Sequence, residues 1–215
     1  MQKYRHMFLI CLLLVAPFCI ASTELTVVDT AGEPFSGAVV EIFHPNFNVV
    51  SASTDKPAVM EQVNQQFKPL ILIVRQNSQV IFPNSDSVKH HVYSFSKAKR
   101  FQLRLYKEQI PDPITFDKDG VVAIGCNIHD WMSGFIYVAK SKFVKQTNQQ
   151  GKVTFELPPG NYTYQVWHPR FNEADIGVVQ NLDITSKQDS ANVTFKLTES
   201  LYPNITQDAD EFGDY

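Results

Sequence analysis

Hydrophobic and polar residues alternate in short runs along most of the chain, and glycine and proline separate the runs. The first group of runs comprises LTVV (25–28), a turn rich in glycine and proline, and AVVEIF (38–43). A matching group, GKVTFELPPGNYTYQVWHP (151–169) followed by ANVTFKL (191–197), lies near the end. Period-two alternation in runs rich in β-branched and aromatic residues is typical of strands, and long helical periodicity is absent. The pattern predicts an all-β protein.

The middle of the chain has strand patterns of its own. They are PLILIVRQNSQVIFPN (69–84), HHVYSFS (90–96), PITFD (113–117), VVAIGC (121–126) and GFIYVAK (134–140). Within the last run, FIYV (135–138) is apolar throughout, which predicts a strand covered on both faces.

The two outer groups are predicted to form one β-sandwich, because two strands alone are marginally stable. We expect a discontinuous sandwich from 23–54 and 142–198, with a second domain, 55–141, inserted into it. Residues 199–215 lose the alternation and gather acidic side chains, so they are predicted to form a flexible tail.

The first 21 residues have the pattern of an export signal. Lys3 and Arg5 precede an apolar run that ends in small residues, and cleavage is expected near Ala21. The run is too short for a membrane-spanning helix, and no later segment reaches the required length. Removal of Lys3 and Arg5 changes the formal charge from 19 − 22 = −3 to 17 − 22 = −5, which argues against a nucleic-acid partner.

The same cleavage leaves one cysteine. Cys11 and Cys19 lie in the predicted signal, so Cys126 has no partner for an intramolecular disulfide in an oxidising compartment. It is either a buried, inert side chain or a ligand, and its neighbours favour the second interpretation.

The segment GCNIHDWM (125–132) offers Cys126, His129 and Met132, which are donors suited to copper. A type 1 copper site needs a second histidine, and KHHVYSFS (89–96) supplies His90 and His91. Adjacent strand residues point to opposite faces, so only one of the two can reach the same ion.

FPNSDSVKHHVYSFS (82–96) together with CNIHDWM (126–132) resembles the plastocyanin and amicyanin group of cupredoxins, and the Cys-x2-His-x2-Met spacing is most similar to amicyanin. The resemblance implies one copper ion held by four side chains. These are His90 as the buried equatorial ligand, Cys126 as the thiolate, His129 as the equatorial ligand nearest solvent, and Met132 as the axial ligand. It also places His91 at the polar position next to the ligand histidine. Asn84 and Trp131 are further candidates for the surroundings of the ion, and Trp131 is bulkier than many residues at that place. His91 departs from the asparagine of better-known members, so the potential does not carry over.

Two further resemblances concern the whole chain. The combination of FPNSD, HVYSFSKAKRF and CNIHDWM is similar to cupredoxins associated with methylamine utilisation, which often carry a C-terminal sandwich. AGEPFSGAVV (31–40) and PPGNYTYQVWHP (158–169) resemble the transthyretin-like fold of carboxypeptidase regulatory domains. We therefore expect a cupredoxin sandwich plus a transthyretin-like or Ig-like sandwich.

The expected function is one-electron transfer in the periplasm. Four protein ligands leave no open position for a substrate, so a carrier is expected rather than an enzyme. One alternative is a copper storage or delivery protein. Another is an envelope-binding module whose outer sandwich grips carbohydrate, with an accessory copper site.

Redox partner proteins are the expected partners. An apolar surface near His129, formed by Ile128, Trp131 and Phe135, is one predicted contact. The basic segment from Lys97 to Lys107 is another, since charge patches raise association rates, although it also fits a solvated surface segment. FHPNF and WHPRF place His44 and His168 at strand ends, where a turn accounts for them better than a second metal site does.

Overall fold

The computed structural model of the chain describes residues 21–45, 56–172, 176–184 and 191–204. Residues 1–20 of the predicted signal (1–21) and residues 205–215 of the predicted tail lie outside these residues. None of the described segments contains a helix of the length and apolarity that crossing a bilayer requires. The described residues form strands joined by turns, which confirms the all-β prediction.

Seventeen strands are found in the described residues. In chain order they are β1 (Ala21–Val28), β2 (Val39–Phe43), β3 (Ala58–Val59), β4 (Glu61–Val63), β5 (Gln66–Lys68), β6 (Ile71–Arg75), β7 (Ser78–Ile81), β8 (His90–Phe95), β9 (Arg100–Tyr106), β10 (Ile114–Phe116), β11 (Gly120–Cys126), β12 (Ser133–Ala139), β13 (Phe143–Gln146), β14 (Lys152–Leu157), β15 (Gly160–Trp167), β16 (Val179–Ile184) and β17 (Ala191–Lys196).

The strands from the two ends of the chain form two sheets with a shared core, which we call the discontinuous sandwich. Its sheets have the orders β14-β1-β17 and β13-β2-β15-β16. β1 pairs antiparallel with β14 and parallel with β17, so the early strand lies between two late ones. In β14, alternate residues Val153, Phe155 and Leu157 are buried in the shared core, as the alternation in the sequence predicts.

Strands β3 to β12, which lie in the middle of the chain, form what we call the central sandwich. Its larger sheet has the order β6-β12-β11-β8-β9 and its smaller one β10-β7-β3, with a separate β4-β5 hairpin. A second apolar core lies between these sheets and contains Val80, Phe116, Val92 and Val122. The end of β11 and the start of β8 are paired through Cys126 and Val92, which brings the two predicted ligand segments together.

The two sandwiches pack against each other through a third apolar cluster. Val39 and Trp167 of the discontinuous sandwich contact Ile71, Tyr137 and Ala139 of the central sandwich. β12 is therefore covered on both sides: Ile136 and Val138 face the central core while Tyr137 faces the neighbouring sandwich. This confirms the prediction made from the apolar run FIYV.

Several details differ from the sequence-based expectations. The basic segment contains an edge strand, β9, and β16 was not foreseen because its alternation is weak. Phe135 packs near Trp167, with ring centroids 5.7 Å apart, so it takes part in the contact between the sandwiches. The start of the predicted tail is anchored, since the Tyr202 N–H donates to the Arg170 carbonyl at 2.8 Å.

Candidate metal centre

The loop between β11 and β12 is held in a closed shape by its own backbone. The Cys126 N–H donates to the Met132 carbonyl at 3.1 Å, and the Met132 N–H donates to the His129 carbonyl at 2.9 Å. The Asn127 N–H donates to the His91 carbonyl at 3.2 Å, which ties the loop to β8. Sheet pairing and these bonds place the side chains of Cys126 and His129 beside that of His90.

Two imidazole nitrogens face one buried sulfur. The Cys126 Sγ lies 3.7 Å from His90 Nδ1 and 3.6 Å from His129 Nδ1. The three ligand atoms all lie within 4.8 Å of one another. His90 is 0% exposed and Cys126 is 3% exposed, whereas His129 is half-buried.

These separations fit a shared metal ion. Zinc, a comparable first-row metal, makes bonds of about 2.0 Å to imidazole nitrogen and about 2.3 Å to thiolate, which span roughly 3.7 Å at a trigonal angle. Two imidazoles and a thiolate are the equatorial donors of a type 1 copper site.

Met132, the fourth predicted ligand, is buried in the same core as Cys126. Its side chain is 1% exposed and belongs to the same apolar core as Cys126. Both residues also line an open cleft next to Tyr93 and Ser133. The thioether therefore belongs to the buried surroundings of the thiol.

Asp86 is a part of the centre that the sequence analysis did not identify. Its Oδ2 lies 2.7 Å from His90 Nε2, on the side of the ring away from Cys126. Because an ionised carboxylate only accepts hydrogen bonds, His90 carries its proton on Nε2 and presents the Nδ1 lone pair to the sulfur. Burial alone would raise the pKa of Asp86, but hydrogen bonds from the Gln65 N–H, from His90 and from the Asn64 N–H outweigh it and lower that pKa.

The surroundings also affect the second histidine of the cluster, His129. Burial, and then the neighbouring His90, lower the pKa of His129, although Asp86 opposes the shift. The His129 ring lies 4.9 Å from that of His90 and 5.4 Å from that of Trp131, measured between centroids. A neutral imidazole is the form that binds a metal.

The other predicted residues occupy different places around the centre. His91 faces the opposite side of β8, where its Nε2 lies 2.7 Å from Gln102 Nε2. Asn84 Nδ2 donates to the Val88 carbonyl at 2.9 Å, and its Oδ1 accepts from the Asp86 N–H at 2.9 Å. Asn84 thus shapes the loop that carries Asp86. Trp131 lies beside His129, as its sequence position suggests.

Among the described residues, the cluster of His90, Cys126 and His129 is the one group of histidine, cysteine and acidic side chains placed to hold a metal ion. His44 instead packs against the Tyr162 ring at 4.8 Å, and His168 lies against the Phe35 ring at 4.8 Å.

The comparisons with known proteins give the following result. No protein-family model matches the chain, and no curated protein matches it. The similar solved structures include a reduced amicyanin variant (18% identity, TM-score 0.36), a Cu(I) form of another variant (19%, 0.36) and an oxidised one (19%, 0.36). Each likeness covers 46% of this chain and 98% of the amicyanin chain.

Proposed function

We propose that the protein is a type 1 copper protein of the cupredoxin class that carries single electrons. The observation that carries this proposal is the pair of Nδ1 atoms, from His90 and His129, at 3.7 and 3.6 Å from one buried cysteine sulfur. When bound there, copper would supply a one-electron couple between Cu(I) and Cu(II).

The residues of the chain contribute rigidity and exclusion of water. Sheet pairing fixes Cys126 opposite Val92 and His90 opposite Tyr106. The bond from the Cys126 N–H to the Met132 carbonyl restrains the loop between β11 and β12. A donor set that moves little when the charge of the ion changes favours fast electron exchange. His129 is the partly exposed member, so it marks the surface through which a partner would exchange the electron.

The test of the metal site is spectroscopic. Cu(II) is added to purified protein lacking residues 1–21, and visible and electron paramagnetic resonance spectra are recorded. We expect an intense charge-transfer band that is lost in Cys126→Ser. His91→Gln is the matched control, because His91 faces away from the cluster, and it should keep the band. A pale, ordinary cupric spectrum in the unmodified protein would overturn the proposal.

Electron transfer and copper delivery are separated by a second measurement. A carrier keeps its ion through repeated cycles of oxidation and reduction, whereas a delivery protein gives up Cu(I) to a competing chelator. We expect reversible voltammetry with copper retained. Rapid loss of Cu(I) to the chelator, with slow electron exchange, would favour storage or delivery.

The proposed setting is the periplasm, after removal of a signal that ends near Ala21. The redox partner is proposed to meet the surface near His129, with help from exposed cations such as Arg100 and Arg104 on β9. Lys99 is partly engaged, because its Nζ lies 2.9 Å from Asp117 Oδ1. Terminal sequencing of the periplasmic fraction tests the setting. A rate of electron transfer to an acidic partner that falls with added salt tests the surface. The link to methylamine utilisation rests on the sequence resemblance alone.

A further inference from the structure

Asp86 lies directly behind the ring of His90. The carboxylate Oδ2 is 2.7 Å from Nε2, while Nδ1 of the same ring faces the Cys126 sulfur at 3.7 Å. The side chain of His90 is 0% exposed and that of Asp86 is 10% exposed, so water screens this contact poorly. One side of the imidazole therefore meets a negative charge and the other meets the proposed metal position.

The position of the carboxylate is fixed independently of His90. Asp86 Oδ2 also accepts from the Gln65 N–H at 2.9 Å, and Oδ1 accepts from the Asn64 N–H at 2.5 Å. Asn64 and Gln65 form the turn of the β4-β5 hairpin and have φ angles of 55° and 54°. Successive N–H groups of a turn can converge on one anion. The hairpin turn thus holds the carboxylate that in turn holds the ligand ring.

We propose that Asp86 is a positioning residue that fixes the orientation and tautomer of His90 and stabilises the oxidised form of the copper site. This inference rests on the proposed function. A carboxylate that accepts the outer N–H of a ligand imidazole makes the ring a stronger donor. Its negative charge favours Cu(II) over Cu(I), because the oxidised ion carries one more positive charge. The reduction potential is thereby lowered.

The test compares Asp86→Asn with two controls in the copper-loaded protein. Asparagine removes the charge and keeps an oxygen that can accept a hydrogen bond from the His90 Nε2–H. Asp86→Glu retains the charge. Asp117→Asn removes an exposed carboxylate of the same sandwich, which is paired with Lys99. Reduction potentials come from spectroelectrochemistry, and Cu(I) and Cu(II) affinities come from competition with chelators.

We expect Asp86→Asn to weaken Cu(II) binding about tenfold more than Cu(I) binding, which equals a rise in potential of about 59 mV for one electron. Asp117→Asn should leave the potential nearly unchanged, and Asp86→Glu should restore most of the original value. If Asp86→Asn weakens both ions equally and the potential stays constant, Asp86 is only structural and the inference fails.

Two outcomes need to be kept apart. A wild-type protein without a type 1 spectrum refutes the proposed function itself, whereas a normal wild-type spectrum with an unshifted Asp86→Asn potential refutes this inference alone. If Asp86→Asn does not fold, nuclear magnetic resonance of the His90 ring in the wild-type Cu(I) protein provides the test. A slowly exchanging Nε2–H proton shifted downfield supports the contact, and a rapidly exchanging one overturns it.

Discussion

The Tyr137 hydroxyl donates a hydrogen bond of 2.8 Å to Glu41 Oε2, joining β12 of the central sandwich to β2 of the discontinuous sandwich. The other oxygen of Glu41 accepts the N–H groups of Lys140 and Ser141 at 2.7 and 2.6 Å. Glu41 is 2% exposed. Burial raises its pKa, and the hydrogen bonds from Ser141, Tyr137 and Lys140 limit that rise. One carboxylate thus fixes the strand and the turn that connect the two sandwiches.

Replacing Glu41 should destabilise the protein more than replacing its tyrosine partner. Glu41→Leu leaves two partly buried N–H groups and a buried hydroxyl without their acceptor, at a cost of about 3 kcal/mol. Tyr137→Phe removes one donor and leaves the other bonds of Glu41 in place, at a cost of about 1 kcal/mol. Urea unfolding of the two metal-free variants measures the difference. Equal losses of stability would show that the carboxylate does not organise this contact.

His168 gives the folded protein a pH dependence of known sign. Burial, and then Arg170, lower its pKa to about 4, and its Nδ1 accepts the Arg170 N–H at 3.2 Å. In the unfolded chain, His168 has a pKa near 6.5 and binds a proton more readily than in the folded protein. The stabilisation of the folded state by neutral His168 is therefore fully present above pH 6.5 and is lost as the pH falls towards 4. The loss is on the order of 2–3 kcal/mol.

Variation of His168 isolates this contribution. His168→Asn keeps an acceptor for the Arg170 N–H but does not titrate, so its free energy of unfolding should fall less between pH 6.5 and 4. Nuclear magnetic resonance of the His168 ring in the wild type measures the midpoint directly. A midpoint near 6.5 would contradict the prediction.

Two glycines of the larger central sheet should respond differently to alanine. A Cβ at Gly134 would lie 2.9 Å from Phe67 Cβ, and Phe67 is 0% exposed and has no room to move. Gly134→Ala should therefore cost about 1–3 kcal/mol. A Cβ at Gly125 would lie 3.2 Å from the tip of the Tyr93 ring, which is partly exposed and able to shift.

Gly125→Ala is accordingly the matched control. The gain of about 0.5–1 kcal/mol from a less flexible unfolded chain should offset most of the contact with Tyr93. Thermal unfolding of both metal-free variants gives the comparison. A larger loss for Gly125→Ala than for Gly134→Ala would show that the packing of Phe67 is not limiting.

Met132 can be tested against a second buried methionine. Met132→Leu conserves volume but removes the thioether, so the blue band should remain and the reduction potential should rise, since a donor that favours Cu(II) is lost. Met60 is 0% exposed in the same core, which makes Met60→Leu the control, with no change in potential. Voltammetry of both loaded variants measures the effect. An unchanged potential in Met132→Leu would remove Met132 from the axial role.

The sequence predicts most of the strands, and the cluster of His90, Cys126 and His129, because short local patterns determine them. Alternation predicts strands such as β14, and the opposite directions of adjacent strand residues predict that only one of His90 and His91 reaches the ion. The family resemblance, not the alternation, points to His90. The sequence does not predict the role of Asp86, because that role depends on N–H groups of the distant turn at Asn64 and Gln65, which no local pattern reveals. The contact of Phe135 with Trp167 is not predictable for a related reason, since nearness to His129 in sequence does not show which face of β12 a side chain occupies.

The position of β1 between β14 and β17 constrains the order in which the two sandwiches can form. The first strand to emerge finds its neighbours only when residues 152–157 and 191–196 have been made. Strands β3 to β12, by contrast, lie within one uninterrupted stretch, so the central sandwich can associate without the C-terminal partners of β1. The discontinuous sandwich can close only when both ends of the chain are present.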